Sequence, residues 1–167
     1  PSLTPGDYYV FVLTDVNGVV SEGPSEGNNA GMSSIPINVQ PAPAPDLEVT
    51  AVTAPSEAQT GQLITVDWTV NNVGPGVAVA PWNDRVYLST DGTLTGARLL
   101  TTVPRVSNLG PTDDPYDVST QFAVPSDVAD GDYFVVVVTD ADQTVFEEGA
   151  EANNLRVSAG QLTIGHP

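Results

Sequence analysis

Residues Gly6–Asp15 return as Gly131–Asp140, and the offset of 125 then runs without a gap through the end of the repeated unit. Val20 matches Val145, Glu22 matches Glu147, Glu26 matches Glu151, and Asn28-Asn29 match Asn153-Asn154. Over residues 5–29, 12 of 25 positions are identical. Further on, Ile37 and Val39 match Leu162 and Ile164. A fixed-offset match of this kind is the mark of like modules arranged in series. The unit is as long as its offset, whereas the chain has 167 residues. Residues 46–165 therefore read as one whole unit, and residues 1–40 as the last third of a preceding one. Pro41-Ala42-Pro43-Ala44-Pro45 lies between them and reads as a stiff, extended linker.

The whole unit reads as β-strands. Leu47, Val49 and Ala51 alternate with Glu48 and Thr50, and Ile64, Val66, Trp68 and Val70 alternate with Thr65, Asp67 and Thr69. An apolar period of two with β-branched residues marks a half-buried strand. Arg85–Ser89, Leu99–Val106, Tyr116–Val124, Tyr133–Thr139, Thr144–Glu147 and Leu155–Ile164 are further candidates. Turn chemistry separates them at residues 72–76, Asp91-Gly92 and Asp130-Gly131. No segment carries a helical period. The expected fold is all-β: an immunoglobulin-like antiparallel sandwich of about seven strands, preceded by the partial repeat and the linker. Tyr133–Val138 is apolar on both faces, which places it centrally. Tyr8 and Tyr133 each follow Gly-Asp at the start of that strand, the position of a tyrosine that ties down a loop.

Several stretches carry a family resemblance. They are Pro45-Asp46-Leu47, residues 66–74 (Val-Asp-Trp-Thr-Val-Asn-Asn-Val-Gly), residues 84–92 (Asp-Arg-Val-Tyr-Leu-Ser-Thr-Asp-Gly), and Asp140 through Asn154 with its Glu-Glu-x-x-Glu-x-Asn-Asn ending. In this order they resemble the CARDB module, a cell-adhesion-related domain of bacteria and archaea. The resemblance covers residues 46–165, and residues 1–40 fit the tail of a second copy. It implies an immunoglobulin-like fold in tandem arrays of extracellular or cell-surface proteins. It implies no defined ligand, because a fold alone does not give a function.

Charge narrows the function classes. Acidic residues number 21 against 4 basic ones, a net charge of −17. Such a surface repels phosphate backbones and anionic lipid, so neither nucleic acid nor a membrane surface is an expected partner. No apolar run reaches the length of a membrane span. With no Cys, disulfides and thiol chemistry are absent, and the single His166 is next to last. General acid–base and Ser-His-Asp catalysis would both have to use that residue, so no enzyme is expected. The sequence starts without an initiator Met or a signal peptide, which is expected of a processed chain or a fragment.

Two binding chemistries fit the residues. The acidic turn that ends each repeat holds Asp140, Asp142, Glu147, Glu151 and Asn153 in the second copy, and Asp15, Asn17, Glu22, Glu26 and Asn28 in the first. Calcium takes six to eight hard oxygens, and an irregular loop can wrap one ion with a dissociation constant on the order of 10⁻⁴–10⁻³ M in extracellular modules. The spacing is not that of an EF-hand. The same residues also suit hairpin ends, where Asp and Asn bond their own backbone. Residues 113–117 form a second, weaker acidic cluster, with Asp84 and Asp91 elsewhere, and Asp113-Asp114-Pro115 reads more simply as a surface turn entering a strand. The alternative ligand is a surface glycan stacked on a platform of Trp68, Trp82, Tyr87 and Tyr116; Trp68 falls in register with a core face, which leaves Trp82, in a loop after Pro81, as the exposed indole. Residues 1–40 cannot bury Tyr8, Val10, Val12 and Leu13 alone. They must pair with a neighbouring copy, as in a homo-oligomer or filament, with their own domain, or with a longer chain.

Overall fold

The structure, a computed structural model, describes residues 3–167, except for the side chain of Glu26. It divides into two compact units, Pro1–Ala42 and Pro43–Pro167. The boundary falls inside the expected linker, because Pro43–Pro45 belong to the second unit.

The larger unit is an immunoglobulin-like β-sandwich. Its strands are β5 (Leu47–Thr53), β6 (Glu57–Gln59), β7 (Leu63–Asn72), β8 (Trp82–Ser89), β9 (Arg98–Arg105), β10 (Tyr116–Ala123), β11 (Gly131–Val138) and β12 (Leu155–Gly165). One sheet has the order β10-β7-β5 and the other β6-β12-β11-β8-β9. Every pairing is antiparallel except that of β6 with β12. β11 lies mid-sheet, as its two-faced apolar sequence requires. The pleat turns alternate residues inward, so Ile64, Val66, Trp68 and Val70 of β7 face Val86, Leu88, Val135 and Leu162 of the other sheet across one core.

Two expectations are corrected here. Thr144–Glu147 is not a strand, because the Asp140 carboxylate takes the Thr144 and Val145 N–H groups, at 3.0 and 2.9 Å, that a ladder would need. Trp82 is not on an exposed loop. It opens β8 opposite Arg105, is 2% exposed, and donates its indole N–H to the Tyr116 hydroxyl at 3.2 Å.

Below Trp82 lies a buried polar cluster. Asp84 accepts from Trp68 Nε1 (2.9 Å), the Tyr116 hydroxyl (2.9 Å) and Thr139 Oγ1 (2.8 Å). Burial raises the pKa of its carboxyl, against the lowering effect of these donors. The Arg105 guanidinium sits 4.3 Å over the Tyr116 ring.

The chain enters the sandwich along the turn at residues 73–76. Asn72 is the hub of this region. Its Oδ1 accepts from the Asp46 and Gly74 N–H groups, and its Nδ2 donates to the Gly76 and Leu109 carbonyls. A Cβ on Gly76 would lie 2.1 Å from the Pro43 carbonyl oxygen, so only glycine allows this approach.

The smaller unit holds β1 (Gly6–Tyr8), β2 (Phe11–Leu13), β3 (Ala30–Met32) and β4 (Ile37–Val39). β1 pairs with β4 and β2 with β3, and among the described residues neither pair gains a third strand. Its register repeats that of β11 and β12 at the sequence offset: Tyr8↔Ile37 answers Tyr133↔Leu162, and Phe11↔Met32 answers Val136↔Val157. The tyrosine ties repeat as well. Tyr8 donates to the Thr4 carbonyl at 2.7 Å, and Tyr133 to that of Ala129 at 3.0 Å.

Candidate metal centre

The turn after β11 is built by Asp140, which takes a left-handed φ of 41° that Asp tolerates better than most residues. Its two oxygens hold the Thr144 and Val145 amides, and its carbonyl accepts the Gln143 N–H. The chain is thereby folded back so that Glu147 enters the sandwich. A short 3₁₀ turn, Glu151–Asn153, then brings Glu151 alongside. One oxygen from each of Asp140, Glu147 and Glu151 lies within 4.8 Å of the others.

Glu147 is the unusual member. It is 2% exposed, its Oε2 accepts a long bond (3.2 Å) from the Leu47 N–H at the start of β5, and its Oε1 is buried with no hydrogen-bond partner. A buried carboxylate oxygen without a donor is costly. Burial pushes the Glu147 pKa up to about 7, helped by the nearby Glu151 and Asp140 charges and opposed by the Leu47 amide. Glu151 is raised too, by its own burial first and then by Asp140. Three carboxylates thus crowd one corner, and among the described residues no cationic side chain acts on Glu147 or Glu151 there. Two of the three, Asp140 and Glu151, line a surface pocket together with Asp142 and Asn154. The donor set is all hard oxygen, the type that suits Ca²⁺ or Mg²⁺ rather than a soft metal.

The sequence-derived candidates separate at this point. Asp140, Glu147 and Glu151 come together. Asp142 turns away, with its carboxylate held by Arg85 at 2.6 Å and Asn83 at 2.8 Å, contacts that lower its pKa, the Asn83 bond most. Asn153 is adjacent but donates to Asp46 Oδ1 at 2.7 Å. Its neighbour Asn154, which sequence reasoning used only as a repeat marker, donates to Glu151 Oε2 at 3.0 Å and fixes that carboxylate. In the smaller unit Asp15 builds the same loop, with φ 41° and bonds to the Val19 and Val20 amides of 2.8 and 3.0 Å. There Asn17, Glu22 and Asn28 are exposed, and Glu26 falls outside the described side chains. Trp82 contributes nothing to a surface. With Tyr116 also buried, the expected glycan platform loses its exposed indole.

Comparisons with known proteins bear on both fold and site. The CARDB domain of a Pyrococcus furiosus protein, solved in complex with di-metal ions, is similar at a TM-score of 0.53 and 21% identity, over 74% of this chain and 96% of that one. A domain from Methanosarcina acetivorans, attributed to a cell surface protein, is similar at a TM-score of 0.50 and 20% identity, again over 74% and 96%. A Listeria innocua β-glucosidase matches at a TM-score of 0.45 over only 18% of its own length. No curated protein matches the sequence. The CARDB family model matches residues 44–158, nearly the whole sandwich and well over half of the chain. This chain belongs to the CARDB family.

Proposed function

We propose that this chain is a non-catalytic structural module of an extracellular surface protein, a spacer or fibre subunit whose partners are further copies of the same module. In this reading a calcium ion held by Asp140, Glu147 and Glu151 locks the turn after β11 to the start of β5. The observation that carries the cation is the Glu147 Oε1 atom, buried and unpartnered beside two further carboxylates. A divalent ion supplies the missing positive charge and relieves part of the repulsion in a chain of net charge −17. Glu147 bonds the first amide of β5, and Asn153 bonds Asp46, the residue before it. The ion would therefore stiffen the point where the chain enters the module. That role suits a stalk better than a receptor.

The test is thermal unfolding in EDTA and in millimolar calcium. At ten times the dissociation constant, one site stabilises by about 1.4 kcal/mol, a rise in Tm on the order of 5 °C for a domain of this size. The double variant Glu147→Gln with Glu151→Gln should abolish the calcium response. An equal rise in wild type and variant would place the ion elsewhere, and no rise in wild type would remove it. Light scattering in the same two buffers reads whether copies associate and whether the ion controls it.

A further inference from the structure

The smaller unit presents to solvent the side chains that its counterpart buries. Val10 is 47% exposed and its equivalent Val135 is 0%; Val12 is 60% exposed and Val137 is 0%. Ile37 is likewise exposed where Leu162 is buried. The backbone around them makes equivalent hydrogen bonds, although the strands interrupted between β1 and β2 and between β3 and β4 are continuous in β11 and β12. The Val10 amide bonds Ser33 Oγ at 3.2 Å as the Val135 amide bonds Ser158 Oγ at 3.1 Å, and Thr14 bonds the Asn29 carbonyl as Thr139 bonds that of Asn154, both at 2.9 Å. The hairpin thus already has the register it would take inside a sandwich. What it lacks is everything that packs on it.

Three surfaces are open at once. One is the face of Val10 and Val12, which in β11 lies in the core shared with the β10-β7-β5 sheet. The second is the opposite face at Phe11, whose equivalent Val136 is fully buried. The third is the outer edge of residues 9–13. In β11 the same edge, Phe134–Val138, pairs antiparallel with residues 85–89 of β8. A helix or a flat apolar patch could cover one face but could not supply the edge hydrogen bonds. Only the missing strands of a sandwich satisfy all three together.

We propose that residues 3–40 are a docking element for the strands of a CARDB-type sandwich, a segment like residues 43–127 that precedes them in the same polypeptide. The inference rests on the repeated-module part of the function proposed above and not on the cation. The tyrosine tie supports the direction of the connection. In the complete module Tyr133 anchors the loop that leads from β10 into β11, and Tyr8 anchors the corresponding residues ahead of β1 in the same way. The sandwich of residues 43–167 already has its own β11 and β12, so a second intact copy has no place for the hairpin.

Two chimeras test this. In the first, residues 43–127 are placed ahead of the full chain, joined at Leu3. In the second, residues 129–165 of the full chain are replaced by residues 4–40. Both are followed by amide hydrogen exchange and thermal unfolding in EDTA and in calcium, so that a cation-free loop is not mistaken for a failed interface. In either chimera the amides of Val10, Phe11 and Val12 should gain about 100-fold or more in protection over the unaltered chain, as for residues that open only with a whole domain. Val10→Asp should abolish that gain in the chimera. Rapid exchange at Val10–Val12 in both chimeras overturns the proposal. Protection in either one supports it, because one junction can fail without the faces being mismatched.

Discussion

The hairpin of residues 3–40 and the β11–β12 hairpin share a register, a tyrosine tie and an aspartate-built loop, yet one has an exposed apolar face and the other lies at the centre of a sandwich. Local sequence alone therefore specifies the hairpin geometry: turn residues, β-branched alternation and side chain-to-backbone bonds act within each segment. Burial is a separate property conferred by the rest of the fold. The same substitution should then have very unequal consequences at equivalent positions. Val137→Asp places an unpaired charge in the core and should destabilise the module by about 4 kcal/mol or more, whereas Val12→Asp should stay within about 0.5 kcal/mol. Both tryptophans, Trp68 and Trp82, lie in the module, so their fluorescence in a urea titration reports its unfolding alone. Equal losses at both positions would break the comparison.

The Asp84 cluster sharpens it. Thr139 gives its hydroxyl to Asp84, but its equivalent Thr14 gives it to the Asn29 carbonyl at 3.4 Å. Asp84→Ala would leave Trp68 Nε1 and the Thr139 hydroxyl without their buried acceptor, and should cost about 3–5 kcal/mol. Thr14→Val should be close to neutral. The pH dependence has a definite sign. Burial raises the Asp84 pKa above its ordinary 3.8, so its contribution is full at low pH and is lost as pH rises through the folded-state value. Asp84→Asn should remove that loss, flattening the stability profile above pH 3.8 in urea titrations run in EDTA across the acid range. An unchanged profile would mean that Asp84 does not titrate between the two states.

The long strands were legible because one signal, the two-residue period, coincides with one physical cause, a single buried face. β7 shows this most plainly. β6 was not legible, because Glu57–Gln59 is three residues of edge strand with a single inward side chain, Ala58. Trp82 misled because Pro81 precedes it and proline commonly breaks a strand. Proline is compatible with the position just ahead of a strand, where no ladder donor is needed. For the site, the repeat marked Asp140, Glu147 and Glu151 but could not separate them from Asp142. That separation depends on Arg85 and Asn83, far away in sequence. Glu147 is unusual because it is buried, and the one amide bonded to its Oε2 comes from Leu47, 100 residues earlier. Asn72 read simply as a turn residue, although it fastens three segments of chain.

The tyrosine ties give the smallest effect and the finest test. Tyr133→Phe deletes one hydrogen bond, from the hydroxyl to the Ala129 carbonyl, at the loop that crosses from one sheet to the other. A partly exposed bond of this kind is worth about 1 kcal/mol. Tyr8→Phe deletes the equivalent bond to Thr4 but should leave the fluorescence-detected melt of the module unchanged. In the chimera that moves residues 4–40 into the sandwich, the Tyr8 tie sits at the same sheet-to-sheet crossing as that of Tyr133. There Tyr8→Phe should acquire the full cost. A substitution that is silent in the free hairpin and costs about 1 kcal/mol in the completed module would show that the tie gains its stabilising effect from the sandwich around it. Equal silence in both settings would mean that the tie shapes the loop without stabilising the fold.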